Sequence, residues 1–463
     1  MPAKESSQVG AIREAREALV RRARSVKAGA LPKTVGWLRW ESLPVIHWVD
    51  SHDVVPRDVL QMLIVEAVRG RSPEPSPSQL ASCSAFDPRD REELADFLLD
   101  SWIAEDLRPT DPVEARRRAE EYARWLHQDM TARPELYTDH PLLGASLAEI
   151  TAAYLPGQLR RPAGSARASL GILALVAPCA GSRATQTVER YLVEWHGRRV
   201  TQAKALLAML AWVEHPSAVQ LLLSLPSRLG TEGLQEEAER QVEALAERKG
   251  LTVAELADRS IPTAGFDENG QLELTYGTRR FVARLQADTS IVVTSPEGKQ
   301  IRSLPPARKS DDARAVVWAK RTLADARAEV DATVRLQTER LHEALRTGRS
   351  WTFADWRRQL DQHPVVRSLT QRLTWLATTP TGTVAFRPLD DGTLTTVDDA
   401  EVTFPPDATV TLAHAGSLDE PTVKAWQQHF DDYRVEPLFE QFEDDGTGEP
   451  DGEESDAAQE EVQ

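Results

Sequence analysis

The apolar residues of this chain change their spacing once, across residues 251–285, LTVAELADRSIPTAGFDENGQLELTYGTRRFVARL. Before that stretch they recur three and four apart, the repeat of one helix face; beyond it, runs that alternate every second residue appear, the repeat of a strand. A chain written in both periods does not fold as one all-helical or all-strand body. The pattern predicts a mainly α protein with a C-terminal α+β domain, and a length of 463 residues allows two or three domains.

Upstream of the junction, helical spacing covers residues 12–26, 56–70, 89–105 and 111–130. Shorter segments then follow closely at 142–155, 166–176, 185–195, 201–213, 217–223 and 232–249. Short helices joined by Pro, Gly and small residues bury too little alone and gain by stacking, which predicts a HEAT-like α-solenoid. Trp37, Trp40 and Trp48 between the first two helices suit packing. In HWVDSHD, the spacing of His47, Asp50, His52 and Asp53 fits no standard helical zinc motif, and a helix-capping Asp before Pro56 is the better reading.

Downstream, Asn269-Gly270 in DENG predicts a type I′ hairpin turn between short strands carrying Leu272, Leu274 and Tyr276, then Phe281, Ala283 and Leu285. The PEG turn at 296–298 predicts a second hairpin, giving a small antiparallel sheet. A long helix over 311–347 stops at Gly348; helices over 353–360 and 365–376 follow, then strands over 383–387 and 409–412 around the DDG turn, and a helix over 420–433. The domain reading is 1–30 N-terminal basic helix, 31–138 Trp-containing helical region, 139–250 HEAT-like repeats, 251–442 α+β domain, and 443–463 acidic tail, expected to be disordered.

The net charge of −17 argues against a general nucleic-acid or anionic-membrane binder, and much of it sits after residue 439, where 11 acidic and no basic residues fall. Cys83 and Cys179 are too few for a disulfide framework and suit reduced, buried thiols. The N-terminal residues lack a signal-peptide core and no run reaches the ~20 apolar residues that span a bilayer. Cytoplasmic location is expected.

No phosphate loop, nucleophile elbow or metal cluster stands out, so neither cofactor nor metal is expected. Asp258 and Arg259, with Asp267 and Glu268, bring carboxylates and a cation near the junction; helix capping or salt bridging is their ordinary use, acid-base work the sharper one. Arg279, Arg280 and Arg284, interleaved with Tyr276 and Phe281, have the ingredients of a nucleic-acid strand. Alternation puts Arg280 and Arg284 on one face and Phe281 on the other, as in any two-faced strand. His363 and His414 read as structural histidines.

Taken together, the junction stretch, LPPARKSDD, LQTERLHEALRTGRSW, HPVVRSLTQRLTW, FRPLDDGTL and DYRVEPLFEQF resemble the uncharacterised domain of MolR-like bacterial proteins, which often accompanies WGR modules. The likeness runs over about 251–442, and the helical region before it is similar to the helical part of the same family. The chain departs from the pattern at His414-Ala415, where relatives carry His-Pro, and shows no WGR module. The resemblance implies a helical scaffold with an α+β domain in a family met near MoxR-type AAA+ ATPases and von Willebrand A proteins. The expected function is a non-enzymatic scaffold, adaptor or regulatory subunit with protein partners. The alternatives are an enzyme with a polar site in the α+β domain and a DNA-associated regulator.

Overall fold

The structure, a computed structural model, describes residues 2–25 and 32–442. The acidic tail at 443–463 and the predicted end of the first helix at Val26 lie outside the described residues. The chain forms two compact units, Met1–Ser260 and Ile261–Gln463, and the division falls inside the stretch where the apolar period changes.

The first unit is helical: α1 (Pro2–Ser25), α2 (Arg57–Gly70), α3 (Pro77–Cys83), α4 (Pro88–Asp106), α5 (Pro112–Ala132), α6 (Leu147–Leu159), α7 (Leu173–Val176), α8 (Ser182–Trp195), α9 (Val200–Leu210), α10 (Pro216–Arg228), α11 (Glu232–Lys249) and α12 (Val253–Arg259). Several starts are set locally. Asp87 and Asp111 precede Pro88 and Pro112 and accept the first free backbone N–H groups, while Ser146 with Glu149 and Thr252 with Glu255 form capping boxes. One core joins α1 to α4 and α7 to α11, built from residues such as Trp48, Leu63, Leu98, Trp102, Leu206 and Leu222.

Three local expectations are corrected here. Residues 166–176 wind first as a 3-10 helix, Arg167–Ile172, and only then as α7. Asp53 does not cap α2: its N-cap is Pro56, which makes no side-chain cap bond, and the Asp53 carboxylate instead takes Arg16 at 3.2 Å. The first helix begins well before residue 12, at Pro2.

The second unit holds two antiparallel sheets. The first is a meander of β1 (Gln271–Thr275), β2 (Arg280–Leu285), β3 (Ile291–Thr294) and β4 (Gln300–Ile301). The second, in order β5-β9-β6-β7-β8, comprises β5 (Ser350–Thr352), β6 (Trp375–Thr379), β7 (Gly382–Pro388), β8 (Leu394–Thr395) and β9 (Thr409–Leu412). Helices α13 (Ala313–Thr347), α14 (Phe353–Trp356), α15 (Arg367–Thr370) and α16 (Glu420–Asp432) complete the unit.

Helix α13 serves both sheets. Val316, Leu323, Ala326 and Val330 pack on the first sheet through Leu274, Phe281 and Val293, whereas Leu341 and Ala344 join the core of the second with Trp351, Trp356, Trp375 and Phe386. Within that second core Trp375 lies edge-on to Trp351 and Trp356, with ring centroids 5.9 and 5.3 Å away.

The DENG segment is not the hairpin turn. The Asp267 carboxylate accepts from the N–H groups of Asn269 and Gln271 at 2.9 and 2.8 Å, so it closes a turn that leads into β1. The hairpin between β1 and β2 turns at Tyr276–Arg279, with Tyr276 N–H bonded to the Arg279 carbonyl at 2.9 Å and Gly277 at φ +93°. An L side chain at Gly277 would pay for that angle. The expected helix over 365–376 ends earlier, because Trp375 and Leu376 begin β6, paired with Phe386 and Ala385 on one side and Leu412 and Thr411 on the other. The expected helix over 353–360 is a short α14 continued by a π-helix, Arg357–Asp361. Among the described residues, no helix is long and apolar enough to cross a membrane.

Candidate functional site

Of the polar residues singled out in the sequence, Asp258 and Arg259 belong to the first unit and the others to the second. Asp258, half-buried, and Arg259 lie on α12 in the first unit, where Arg259 pairs with Glu255 at 3.5 Å. In the second unit Asp267 closes its own turn, and Arg280 at the start of β2 faces Glu273 on β1 at 3.6 Å, both side chains exposed. His363 is buried, its Nε2 3.2 Å from the Ile261 carbonyl and its Nδ1 accepting from Val365 and Val366 N–H; burial lowers its pKa to about 4. His414 is exposed and starts a short 3-10 turn with Ser417. Arg259, Asp267, Arg280 and His414 are held by partners close in sequence or on the neighbouring strand, while His363 also reaches the distant Ile261 carbonyl.

Of the HWVDSHD residues, His47, Asp50 and Asp53 divide between two partners, with Asp50 and Asp53 sharing Arg16. Asp50 takes Arg16 at 3.1 Å, while His47 turns to Asp90, whose Oδ2 lies 2.8 Å from its backbone N–H and 2.7 Å from Nδ1. Among the described residues no group of three or more His, Cys, Asp or Glu side chains is placed to hold a metal ion. Arg279 is not part of a solvated basic strip. Its guanidinium pairs with the Asp311 carboxylate and lies over Tyr276 and Phe281, which fastens the β1–β2 turn to the segment before α13. That pairing with Asp311 holds the Arg279 pKa up and the Asp311 pKa down.

Two buried polar centres escaped the sequence reading. In the first unit Asp106, fully buried, accepts from Ala166 N–H at 2.9 Å, Gln202 Nε2 at 2.8 Å and the Tyr191 hydroxyl at 2.7 Å, with Arg199 Nε 3.6 Å away. In the second, the buried Arg387 donates to the Gln371 carbonyl at 3.2 Å and lies 3.4 Å from His429 Nε2, with the Phe430 and Tyr433 rings each 5.8 Å away. Burial lowers both pKa values, and for His429 the Arg387 cation adds to the effect. Both centres carried a sequence signal. Asp106 falls four residues after Trp102 and His429 three after Trp426, each a polar residue on an apolar helical stripe.

The feature least explained by internal packing is the α5–α6 hairpin. These two helices pack chiefly on each other around a small core of their own, Ala123, Leu126, Met130 and Ile150. Its base is tied down: Thr110 Oγ1 donates to the Arg161 carbonyl at 2.5 Å and Ala163 N–H to the Arg108 carbonyl at 2.8 Å. Arg199, beside Asp106, donates to the Gly164 carbonyl at 3.1 Å. The buried Asp106 centre therefore anchors the point from which the hairpin starts and to which it returns.

Helix α6, LAEITAAYLPGQL, has Glu149 as its one charged residue, yet Ile150 is its one buried residue. Leu147 and Leu159 remain 43% and 42% exposed. A helix apolar on most sides normally sits inside a core. Along one flank, Leu147, Ala148, Ala152 and Leu155 of α6 and Arg116 and Arg124 of α5 line an open groove of about 450 Å³, with Glu120 between the two arginines. The hairpin also carries an aromatic cluster: the Tyr122 ring lies tilted against Tyr154 and Trp125, with centroids 4.5 and 5.4 Å away, and Trp125 is 53% exposed.

Comparison with known proteins adds a family outline. A family described as "Domain of unknown function (DUF4132)" matches residues 298–456, from before β4 past α16. Among curated proteins the chain is similar to "Uncharacterized protein YehI" of Escherichia coli (strain K12), 29% identical over 240 residues, a match that covers 51% of this chain and 20% of that protein. The chain thus spans about a fifth of the length of the curated relative it matches. No solved structure matches. The Arg387–His429 centre lies within the matched domain, and the α5–α6 hairpin lies outside it.

Proposed function

We propose that this chain is a non-enzymatic scaffold, adaptor or regulatory subunit of a bacterial multi-protein system, and that the α5–α6 hairpin is a surface through which it holds a protein partner. The single observation that carries the reading is α6, a helix with one charged residue and one buried residue. Leaving such a surface in water forgoes roughly 25 cal/mol per Å² of apolar area, which a partner would recover. Successive packing of α8 on α9 and α10, and of α10 on α11, supports a HEAT-like stack. The MolR-like resemblance supports a MoxR-type AAA+ ATPase or a von Willebrand A protein as the partner.

The test is purification of the tagged chain from its native cell, with and without nuclease, followed by mass spectrometry. Stoichiometric recovery of another protein, lost when Leu147 and Ala152 are both replaced by Glu, is the expected result. Recovery of the chain alone in both preparations would overturn the reading.

A second reading, an enzyme with a polar site in the α+β domain, is favoured by Arg387. It is buried, and its Nε has no hydrogen-bond partner among the described residues. Loss of a ligand-induced thermal shift in Arg387→Met, across a panel of small anionic metabolites, would support it; no shift with any of them in the native chain would count against it.

A further inference from the structure

The groove on the hairpin has a shape and a charge, and both restrict what fills it. Its floor is apolar apart from Thr151, whose hydroxyl donates back to the Leu147 carbonyl at 2.7 Å, and contains two small residues one helical turn apart, Ala148 and Ala152, between the larger Leu147 and Leu155. Small residues at that spacing let another helix approach closely, and the flanking leucines give an apolar stripe on that helix something to grip. A strand gains nothing comparable here, because the hairpin is helical on both sides and presents no free strand edge.

The rim is basic, in a chain whose net charge is −17. Arg116 and Arg124 stand on the α5 side of the groove with Glu120 as the one acid between them. Glu120 lies 4.0 Å from Arg116, and the Arg124 Nε donates to the Glu120 carbonyl rather than to a carboxylate. At the hairpin base, where Thr110 meets the Arg161 carbonyl, the exposed Arg160 and Arg161 follow α6. Elsewhere on α5 the arginines are neutralised: Arg117 binds Glu114 and Glu121, and Arg118 binds Glu114. Within the groove lining Arg116 pairs with Glu120, so the one net positive charge there rests on Arg124, whose Nε reaches only a carbonyl.

We infer that the groove receives an amphipathic helix of a partner protein whose apolar stripe is flanked by Asp and Glu. The inference rests on the adaptor reading and adds the partner's chemistry to it. The chain's own acidic tail is a poorer occupant: from residue 443 onward its aliphatic side chains are Ala457, Ala458 and Val462, too few for a stripe. A second copy of α6 would bring its own apolar face but no acids to meet Arg116 and Arg124, since Glu149 is engaged in the Ser146 capping box.

The experiment uses the purified full chain and two fluorescein-labelled helical peptides of about 20 residues, a length that overspans α6. Both carry the same Leu and Ala stripe; one has Glu at the flanking positions, the other Lys. Fluorescence anisotropy is expected to show the Glu peptide binding about tenfold tighter or more, in a salt-sensitive manner. Arg124→Glu should erase that preference, and the neutral double variant Ala148→Gln/Ala152→Gln should weaken both peptides, with circular dichroism melts confirming that each variant is folded.

Equal binding of the two peptides overturns the acidic assignment while leaving the adaptor reading standing. Failure of both peptides to bind, together with partner recovery from the cell that is indifferent to the double Gln variant, removes the hairpin as the docking site. Self-association in sedimentation experiments that the double Gln variant abolishes would make the occupant a second copy. Several-fold tighter peptide binding after deletion of residues 443–463 would make it the tail. Each of these results contradicts the inference.

Discussion

The Tyr191 hydroxyl donates to the Asp106 carboxylate at 2.7 Å, joining α8 to the last residue of α4 across 85 residues of sequence. Burial, and then this bond, raise the tyrosine pKa, so the phenol stays protonated and remains a donor. The same carboxylate collects Ala166 N–H and Gln202, which makes it the point where the chain returning from the α5–α6 hairpin is locked to the body.

Replacing Asp106 by Ala strands those donors and leaves Arg199 without its nearest carboxylate, so a loss of about 3–5 kcal/mol in urea denaturation is expected. Tyr191→Phe removes one bond and should cost about 1–2 kcal/mol. The coupling is readable in a double-mutant cycle, because Tyr191→Phe should cost little once Asp106 is gone. If the two changes simply add, Tyr191 and Asp106 do not act as one unit.

How much of this was legible beforehand depends on which force sets each element. Starts with a local chemical signal, such as Asp87-Pro88 and Asp111-Pro112, could be read directly because the capping bond involves only neighbours. The helix over Glu232–Lys249 was also legible, its apolar face being continuous and its end marked by Gly250 in a left-handed conformation. The strand at Trp375–Thr379 was not. Its residues continue the spacing of α15, and what makes them a strand is pairing with Phe386 across a tight hairpin and with the more distant Leu412. Asn269-Gly270 misled for a related reason: Asp267 captured the nearby N–H groups, and the hairpin moved to Gly277. On the hairpin, α6 read as one more buried repeat. Its composition is indeed that of a buried helix, and only tertiary structure shows that Ile150 alone is fully buried. The candidate polar residues were individually visible, but composition carries no information on which of them converge.

His363 makes the second unit sensitive to acid. Its imidazole is neutral in the fold, with Nδ1 accepting from two N–H groups, and burial lowers its pKa from an ordinary 6.5 to about 4. Below pH 6.5 the unfolded chain binds a proton that the folded chain refuses. Stability therefore falls as pH drops from 6.5 toward 4 and levels off below that, by up to about 3 kcal/mol from this one group. Comparing native protein with His363→Gln isolates the effect from the carboxylates. The difference in urea midpoint between the two should shrink as pH falls from 7 to 4.5; a constant difference would place the titration elsewhere. His429, whose pKa is also lowered, works in the same direction.

Cys83 and Cys179 are both buried, and the Cys179 thiol is held up by its hydrogen bond with Cys83 and by burial. A thiol kept protonated and covered is a poor nucleophile. Ellman's reagent should find no reactive thiol in the native chain under reducing storage and both thiols once the chain is unfolded in guanidinium. Rapid labelling of the folded protein would mean that the core around α3 and α7 opens readily.

Two glycines at the hairpin offer a matched contrast between close packing and open space. A Cβ on Gly164 would lie 1.8 Å from the Glu105 carbonyl oxygen and 2.8 Å from the Arg108 Cβ, while a Cβ on Gly157 would meet nothing within 4 Å. Gly164→Ala must push the hairpin base away from the end of α4, where Ala163 N–H reaches the Arg108 carbonyl, and a loss of about 1–3 kcal/mol or more is expected. Gly157→Ala sits inside α6 and removes the conformational freedom of a helical glycine, so it should be neutral or stabilising by about 0.5–1 kcal/mol. Thermal melts of the two variants decide the matter, and the peptide-binding assay adds a second reading. Gly164→Ala should disturb binding through the hairpin's position, and Gly157→Ala should leave it unchanged because its new methyl lies outside the groove lining. Equal melting temperatures for the two variants would mean that the base of the hairpin yields to an added methyl, and that Asp106 does not hold it in place.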